Sequence, residues 1–399
     1  MNLTDPARRS VPRTAFKRLQ AFGRIVSRHG GQAFLVGGPV RDILLRQPLR
    51  DIDVVATHPV EPVLRALANQ ERGLIARRSA FLTFKLSFPD GTCMDVATAR
   101  KETYPQAASL PVVEPSEILH DLARRDFSIN AMAVELGPRH FGELIDPLGG
   151  EMDLAARRLR ALHSQSFQDD PTRIYRAARY AGRLNLRWDG DTLNWIRSAL
   201  RLKMPAQLTT ARLSHEWEKI LLEQDPRATL KILDGWGALT FLDTNWHWKR
   251  THARTLRPGK NEKATLSGRL LGWCRPFGTR KAEGALAHLE LPAPVRGEVR
   301  LGLGLLENIE REDPLSALGA AKAPESVRNF LSQNLPAPLW KRVLRSRPLL
   351  SGTDLMELGA VPGPELGRIL AALTQARWRD TVRSRRDEVR FVIDNLRGR

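Results

Sequence analysis

Two aspartates two residues apart, Asp51 and Asp53, follow closely on a glycine pair, Gly37-Gly38. Neighbouring carboxylates repel unless a cation sits between them, and oxygen-only ligands suit Mg²⁺, which is usually held by one or two carboxylates plus substrate phosphates. Glycine lets the backbone turn sharply and lets a bulky anion approach main-chain N–H groups. After the glycines and Pro39 in the turn, Val40–Leu45 reads as the first turns of a helix, with Arg41 near its start. Amides at a helix start plus an arginine form a phosphate site. One stretch thus offers a polyphosphate cradle and a metal seat. A lone glycine pair or a lone Asp-x-Asp marks an ordinary turn more often than a site; the joint spacing carries the reading.

Two further stretches hold polar side chains in useful combinations. In Arg124-Arg125-Asp126-Phe127-Ser128-Ile129-Asn130-Ala131-Met132-Ala133, arginines can neutralise phosphate and a carboxylate can accept from ribose hydroxyls; a solvated charge cluster is the plain alternative. In Asp169-Asp170-Pro171-Thr172-Arg173, Pro171 suits the first helical position and Asp170 the N-cap. Asp170, Arg173, Arg176 and Arg179 step by three along one drifting helix face. Cytosine and adenine each show an amino donor beside a ring-nitrogen acceptor, which a carboxylate plus an arginine can match. Guanine and uracil show a carbonyl there and leave buried polar groups unpaired, at about 1–3 kcal/mol per group. The plain alternative is an N-capped helix with a solvated arginine stripe.

The positioning elements follow from hydrophobic pattern. Ala33–Val36 reads as a buried strand and 52–56 as a second strand that carries Asp51 and Asp53 on one face. Helices are expected over 14–29 and 59–70. Strands are expected over 73–78, 81–88 and 92–99, the last two joined by Pro89-Asp90-Gly91. Phe84, Leu86 and Phe88 share one strand face. Asp95 falls on the neighbouring strand, where it could complete a carboxylate cluster. Residues 1–13 read as a disordered arm, and the proline-punctuated 100–123 as a mobile surface loop. From Glu151 onward the pattern is helical. Trp246-His247-Trp248-Lys249-Arg250, with Arg254, Arg257 and Lys260, reads either as an RNA grip by stacking and phosphate contact or as a basic surface linker.

Composition bounds the function classes. The chain has 399 residues, enough for about two to four compact units. No run approaches the roughly 20 apolar residues of a membrane helix, and the N-terminus lacks the apolar core of a signal peptide. Two cysteines, Cys93 and Cys274, make no disulfide framework and no Cys/His spacing suggests zinc, which fits a reducing, cytoplasmic setting. The formal charge of +19 implies a polyanionic partner, most plausibly nucleic acid.

Four blocks, in order, resemble the class II tRNA nucleotidyltransferase (CCA-adding enzyme) and bacterial poly(A) polymerase family. They are Gly37-Gly38-Pro-Val-Arg41-Asp with Asp51-Ile-Asp53; the ten residues from Arg124; Asp169-Asp170-Pro-Thr-Arg173; and Ala211-Arg-Leu-Ser-His-Glu216-Trp-Glu. Pro39 replaces a more usual small residue, Ser128 a threonine and Asp169 a glutamate. The resemblance covers mainly residues 35–222 and returns near 349–395. It implies an α+β fold: a nucleotidyltransferase palm with a small mixed β-sheet and helices over 1–137, then an all-α remainder with a base-selecting neck over 138–245 and a tRNA-binding body and tail over 246–399. By the same resemblance Asp51 and Asp53 are catalytic and hold two Mg²⁺ ions; Gly37, Gly38 and Arg41 grip phosphates; Arg125 and Asp126 hold the ribose; and Asp170 and Arg173 choose the base. Arg176 and Arg179 then touch triphosphate or base, the 100–123 loop helps switch between CTP and ATP, and Ile145–Gly150 is a hinge. The implied reaction adds C, A or both from CTP or ATP to the tRNA 3′ end and releases pyrophosphate. The rivals are a CC-only or A-only enzyme, a poly(A) polymerase and a non-catalytic RNA-binding protein with a relic palm.

Overall fold

The structure, a computed structural model, describes residues 1–49, 51–58, 60–79, 83–256 and 265–397. The chain divides into two compact units, Met1–Leu208 and Thr209–Arg399. That division falls within the segment 138–245.

The first unit is built on a seven-stranded mixed sheet. Its strands are β1 (Ala33–Val36), β2 (Asp53–Ala56), β3 (Leu74–Ser79), β4 (Thr83–Ser87) and β5 (Cys93–Thr98), followed later in the chain by two short strands at Ala133–Glu135 and Leu144–Ile145. The order runs β3-β4-β5-β2-β1 and then the two short strands. Only β2 and β5 run parallel, with Asp53 opposite Asp95. Alternation assigns the faces. Leu35, Val54, Phe84, Leu86 and Val96 join a core with α1 (Thr4–Ser10), α2 (Arg13–Arg28) and α4 (Val60–Glu71), while Phe34, Val36 and Val55 pack with Ile118 and Leu122 on the other side. The expected faces of Phe84, Leu86 and Phe88 hold; Phe81 and Leu82 lie outside the described residues. Gly23 lets α2 approach the sheet, because a Cβ there would lie 1.8 Å from the Leu136 carbonyl oxygen.

Two expectations are corrected. Residues 1–13 are not a disordered arm: α1 is a helix, Leu3, Ala7 and Val11 are buried, and Leu3 N–H donates to Gly142 O at 2.6 Å. Three apolar residues at helical spacing were enough to dock a segment whose polar residues dominate its composition. The 100–123 stretch is not a plain loop either. It forms a hairpin, Arg100–Thr103 with Val112–Pro115, and then α5 (Ile118–Ala123). Ala108 N–H donates to Gln168 O at 2.9 Å, so the tip of the hairpin is fastened.

The first unit closes with helices over Ser166–Asp169, Thr172–Leu184 and Gly190–Arg201. Among the described residues the second unit is helical, from Thr210–Leu221 to Arg385–Arg397. Its first core is aromatic: Trp217, Trp246 and Trp273 are buried with ring centroids 5.1–5.7 Å apart. Trp246, expected as an RNA-stacking or linker residue, is therefore a core residue, while Trp248 is half-buried under Lys231. Arg257 and Lys260 lie outside the described residues. A separate cluster gathers Leu350, Leu355, Ile369, Leu373 and Val392. Buried Glu388 fastens it, accepting from Leu349 N–H and Leu350 N–H and from Arg377 Nη1 at 2.7 Å.

His252 is fully buried, stacked on Trp273 at 4.2 Å, with Nδ1 accepting from Lys249 N–H and Nε2 against Trp273 O. Burial lowers its pKa from 6.5 to about 4. The neutral ring is the folded form, so its contribution is complete above pH 6.5 and is lost as pH falls toward 4. Tryptophan-fluorescence melts should show stability declining across that window by up to about 3 kcal/mol. A His252→Gln variant should be less stable at pH 7.5 and lack that part of the slope.

Candidate active site

The glycine turn is built as its residue types demand. Gly37 has φ 72° and ψ −126°, a backbone state closed to residues with a side chain. A Cβ at Gly37 would lie 2.6 Å from Arg125 Nη1, and one at Gly38 would lie 3.4 Å from Arg41 Nη2. The pair therefore leaves room for two guanidinium groups at the end of β1. The helix α3 (Gly38–Leu44) follows at once with Pro39 in its first turn.

Arg41 is buried, not extended toward solvent. Its Nε and Nη2 donate to Asp42 Oδ1 at 2.9 and 2.7 Å, and Nη1 donates to Asn130 Oδ1 at 2.6 Å. Arg125 is braced by buried Asp121, to which Nη2 donates at 2.8 Å. Arg124 donates to the other Asp121 oxygen at 2.6 Å and to Glu102 at 2.8 Å. Burial alone would raise the Asp121 pKa, but Arg125 and Arg124 override it and hold the carboxyl below the usual range.

The carboxylates sit where β2 begins. Asp53 opens the strand opposite Asp95, and Asp51 is exposed just ahead of it, so the strand expected from 52 starts one residue later. Asp53 is raised from 3.8 to about 6. Burial is the main cause; Arg125 opposes it, Asp95 and Asp51 add repulsion, and Arg41 opposes again. A cation would relieve that repulsion. Among the described residues no three His, Cys, Asp or Glu side chains form a metal-holding set, so Asp95 does not complete a protein-only cluster. Two carboxylates completed by substrate oxygens fit Mg²⁺ better than a full cage would.

Asp126 is buried, and its carboxylate is fully engaged. Oδ1 accepts from Phe127 N–H at 2.9 Å and Asn130 Nδ2 at 3.0 Å; Oδ2 accepts from Arg176 Nε at 2.8 Å and Nη2 at 2.5 Å. Burial acts to raise its pKa, but Arg176, the Asn130 hydrogen bond and Arg173 bring it down to about 2. Arg176 comes from helix Thr172–Leu184, as do Arg173 and Arg179. Asp170 caps that helix from just outside it, accepting from Thr172 N–H at 3.0 Å and Thr172 Oγ1 at 2.6 Å. Arg173 is buried, donating to Ser166 Oγ at 2.7 Å and Arg124 O at 2.8 Å. Arg179 is buried with its guanidinium 4.9 Å from the Tyr180 ring. The arginines expected on a drifting face are thus drawn inward. Asp170 and Arg173 share a neighbour: both charges act on the Tyr104 hydroxyl, which donates to Glu102 at 3.0 Å.

This arrangement joins a glycine turn, a carboxylate pair and an arginine-bearing helix in one unit, and comparison with known proteins agrees. Residues 33–160 match the Poly A polymerase head domain family. The A-adding tRNA nucleotidyltransferase of Halalkalibacterium halodurans is 30% identical over 429 residues, covering 98% of this chain and 95% of that protein. The chain belongs to the tRNA nucleotidyltransferase family. The CC-adding tRNA nucleotidyltransferase of Deinococcus radiodurans is 33% identical over 89% of this chain and 87% of that protein. The fold matches that of the Thermotoga maritima CCA-adding enzyme complexed with tRNA, with a TM-score of 0.74 at 23% identity over 99% of both chains. As a member of this family the protein is an enzyme, and its class is the nucleotidyltransferases.

Four residues of this network had no role in the sequence reading. Asn130 joins Arg41 to Asp126, Asp121 braces Arg124 and Arg125, Glu102 anchors Arg124 and Tyr104, and Tyr180 accepts from Arg176 Nη2 at 3.1 Å. Asn130 stands inside the quoted 124–133 block and Tyr180 directly follows Arg179, where a polar residue among core residues was the available signal. Asp121 and Glu102 fall in the stretch read as a loop. The ion pair at Asp126 should be stiff. Arg176→Met should destabilise the fold by about 3 kcal/mol, since it strands a buried carboxylate, and adding Asp126→Asn should recover part of that loss. Urea unfolding of the two single variants and the double variant checks this.

Proposed function

We propose that this enzyme is a template-independent nucleotidyltransferase that adds C, A or both from CTP or ATP to the tRNA 3′ end, releasing pyrophosphate. The observation that carries the reading is Arg125. It lies against the Gly37 turn and is also the strongest cationic influence on Asp53, so phosphate cradle and carboxylates share one guanidinium. Two relatives that match most of the chain are an A-adding and a CC-adding tRNA nucleotidyltransferase, which favours tRNA over general RNA. A solved tRNA nucleotidyltransferase complexed with a primer tRNA and an incoming ATP analogue adds support, at 26% identity and a TM-score of 0.64 over 81% of this chain and 96% of that one.

In this reading Asp51 and Asp53 hold Mg²⁺, with two ions expected. Bound there, the metal supplies Lewis acidity toward the attacking 3′-hydroxyl and the phosphate oxygens. The amides of the Gly37-Gly38 turn and Arg41 receive phosphate oxygens. Arg125 and Asp126 face the ribose, with Asp126 kept ionised by Arg176. Asp170 and Arg173, each pinned by neighbours, present an acceptor and a donor to the base edge, and Arg176 and Arg179 carry positive charge toward triphosphate or base. Because the pair is pinned before any nucleotide arrives, discrimination costs little reorganisation. The proposed organisation is palm 1–137, neck 138–245, and body and tail 246–399, the last carrying basic helices for tRNA. A cytoplasmic setting accords with two free cysteines and with the absence, among the described residues, of any helix able to cross a membrane.

The deciding assay offers purified protein three tRNAs, ending before each of the three terminal positions, with each nucleoside triphosphate alone. Addition of C or A, or both, at one or more positions with rejection of G and U supports the reading; long A tails on arbitrary RNA would overturn it in favour of a poly(A) polymerase. Asp53→Asn should lower incorporation by about 10³-fold or more while leaving the melting temperature equal or higher, since it removes a buried, mutually repelling charge. Asp170→Ala should keep incorporation measurable but admit UTP or GTP.

A further inference from the structure

Helix α2 carries Arg13, Lys17, Arg24 and Arg28, all exposed. At 100° per residue these four fall within an arc of about 60°, a single stripe about 22 Å long. The helix contains no acidic residue, and residues 1–32 hold one aspartate, Asp5, against seven arginines and lysines. The contrast with Arg18 is instructive. It is the basic residue on the buried side of α2, and its charge is paired: Nη1 donates to both Asp90 oxygens at 2.9 Å, Nε lies 3.5 Å from Glu71, and its guanidinium lies 3.9 Å from the Phe88 ring centroid. The four outward residues have no ion pair among the described residues.

Folding does not favour such a stripe. Arg13–Lys17 and Arg24–Arg28 are like charges four residues apart, which destabilise a helix, and Arg13 sits at the positive end of the helix dipole. The same helical layer holds a second basic feature. Arg9 of α1 and Arg46, just beyond α3, line a pocket of about 300 Å³ with Ser10 and Gln47, and no carboxylate lines it. Like the stripe, these two arginines make no ion pair among the described residues.

We infer that this amino-terminal layer, α1 and α2 of the palm, is an RNA-backbone surface that contacts phosphates of the acceptor RNA outside the catalytic site. The inference rests on the proposed RNA substrate, and it adds a binding face on the first unit to the basic helices of the second. The ligand is the phosphodiester backbone, without base readout, because an arginine and lysine stripe with no aromatic residue on its arc offers charge and nothing that stacks.

The test compares the full-length enzyme with a variant carrying Arg13→Gln, Lys17→Gln, Arg24→Gln and Arg28→Gln. Binding of a tRNA transcript lacking its 3′ end is followed by fluorescence anisotropy from 50 to 200 mM KCl, without nucleotide. The variant should bind about tenfold or more weakly at 100 mM salt, and its log–log salt slope should be shallower by about 2–4, near one per lost phosphate contact. Its rate at saturating tRNA should equal that of the parent. A milder variant, Arg24→Gln with Arg28→Gln, should show about half the change in slope, which guards against a folding defect in the fourfold change. Parent-like affinity and slope in both variants would overturn the inference. If the parent binds RNA with the steep slope, the variants lose it, and neither incorporates nucleotide, the surface stands and the catalytic reading falls. Normal incorporation with unchanged slopes does the reverse.

Discussion

A carboxylate in a protein interior is costly unless both oxygens have donors, and Asp126 meets that condition from two parts of the first unit and is linked through Asn130 to a third. Its own turn supplies Phe127 N–H and Asn130, helix Thr172–Leu184 supplies Arg176, and Asn130 passes the connection to Arg41 behind the glycine turn. Removing any one member leaves the others with unmet charge. This is why the glycine turn, the 124–133 block and the arginine helix act as one piece although they lie far apart in sequence. Arg125 makes a parallel connection, braced by Asp121 at one end and set against Gly37 and Asp53 at the other.

Against this stiff frame the first unit keeps one deliberate instability. Burial above all, with repulsion from Asp95 and Asp51 added, raises the Asp53 carboxyl from 3.8 to about 6. The fold gains nothing from that arrangement; a cation placed between the carboxylates would relieve it. Strain of this kind at a site, offset by satisfied ion pairs around it, is the usual signature of function overriding stability. The amino-terminal stripe on α2 repeats the pattern in milder form, with like charges aligned where a neutral or mixed face would be more stable.

The second unit solves a different problem. A strongly basic chain needs apolar anchors to hold its helices together, and it uses a knot of three tryptophans and a neutral histidine, plus a separate tail core fastened by Glu388. Both devices bury polar or titratable groups only where donors and acceptors are supplied, apart from the indole N–H groups of Trp217, Trp246 and Trp273, which have no hydrogen-bond partner among the described residues and are balanced by ring packing.

By itself the sequence determined the α+β class, the β1–turn–α3 unit, the strand faces and the membership of the motif blocks. Each of these is set by local periodicity, by glycine's backbone freedom or by residue spacing. It also contained the amphipathic pattern of residues 1–13, which composition masked. Only the tertiary structure decided which charges meet. Arg41, Arg173 and Arg179 point inward because Asn130, Ser166 and the Tyr180 ring await them, Asp126 is engaged because Arg176 arrives from fifty residues away, and Trp246 is core because Trp217 and Trp273 enclose it. Such pairings depend on long-range packing and on desolvation, and neither is encoded in the spacing of residues along one element.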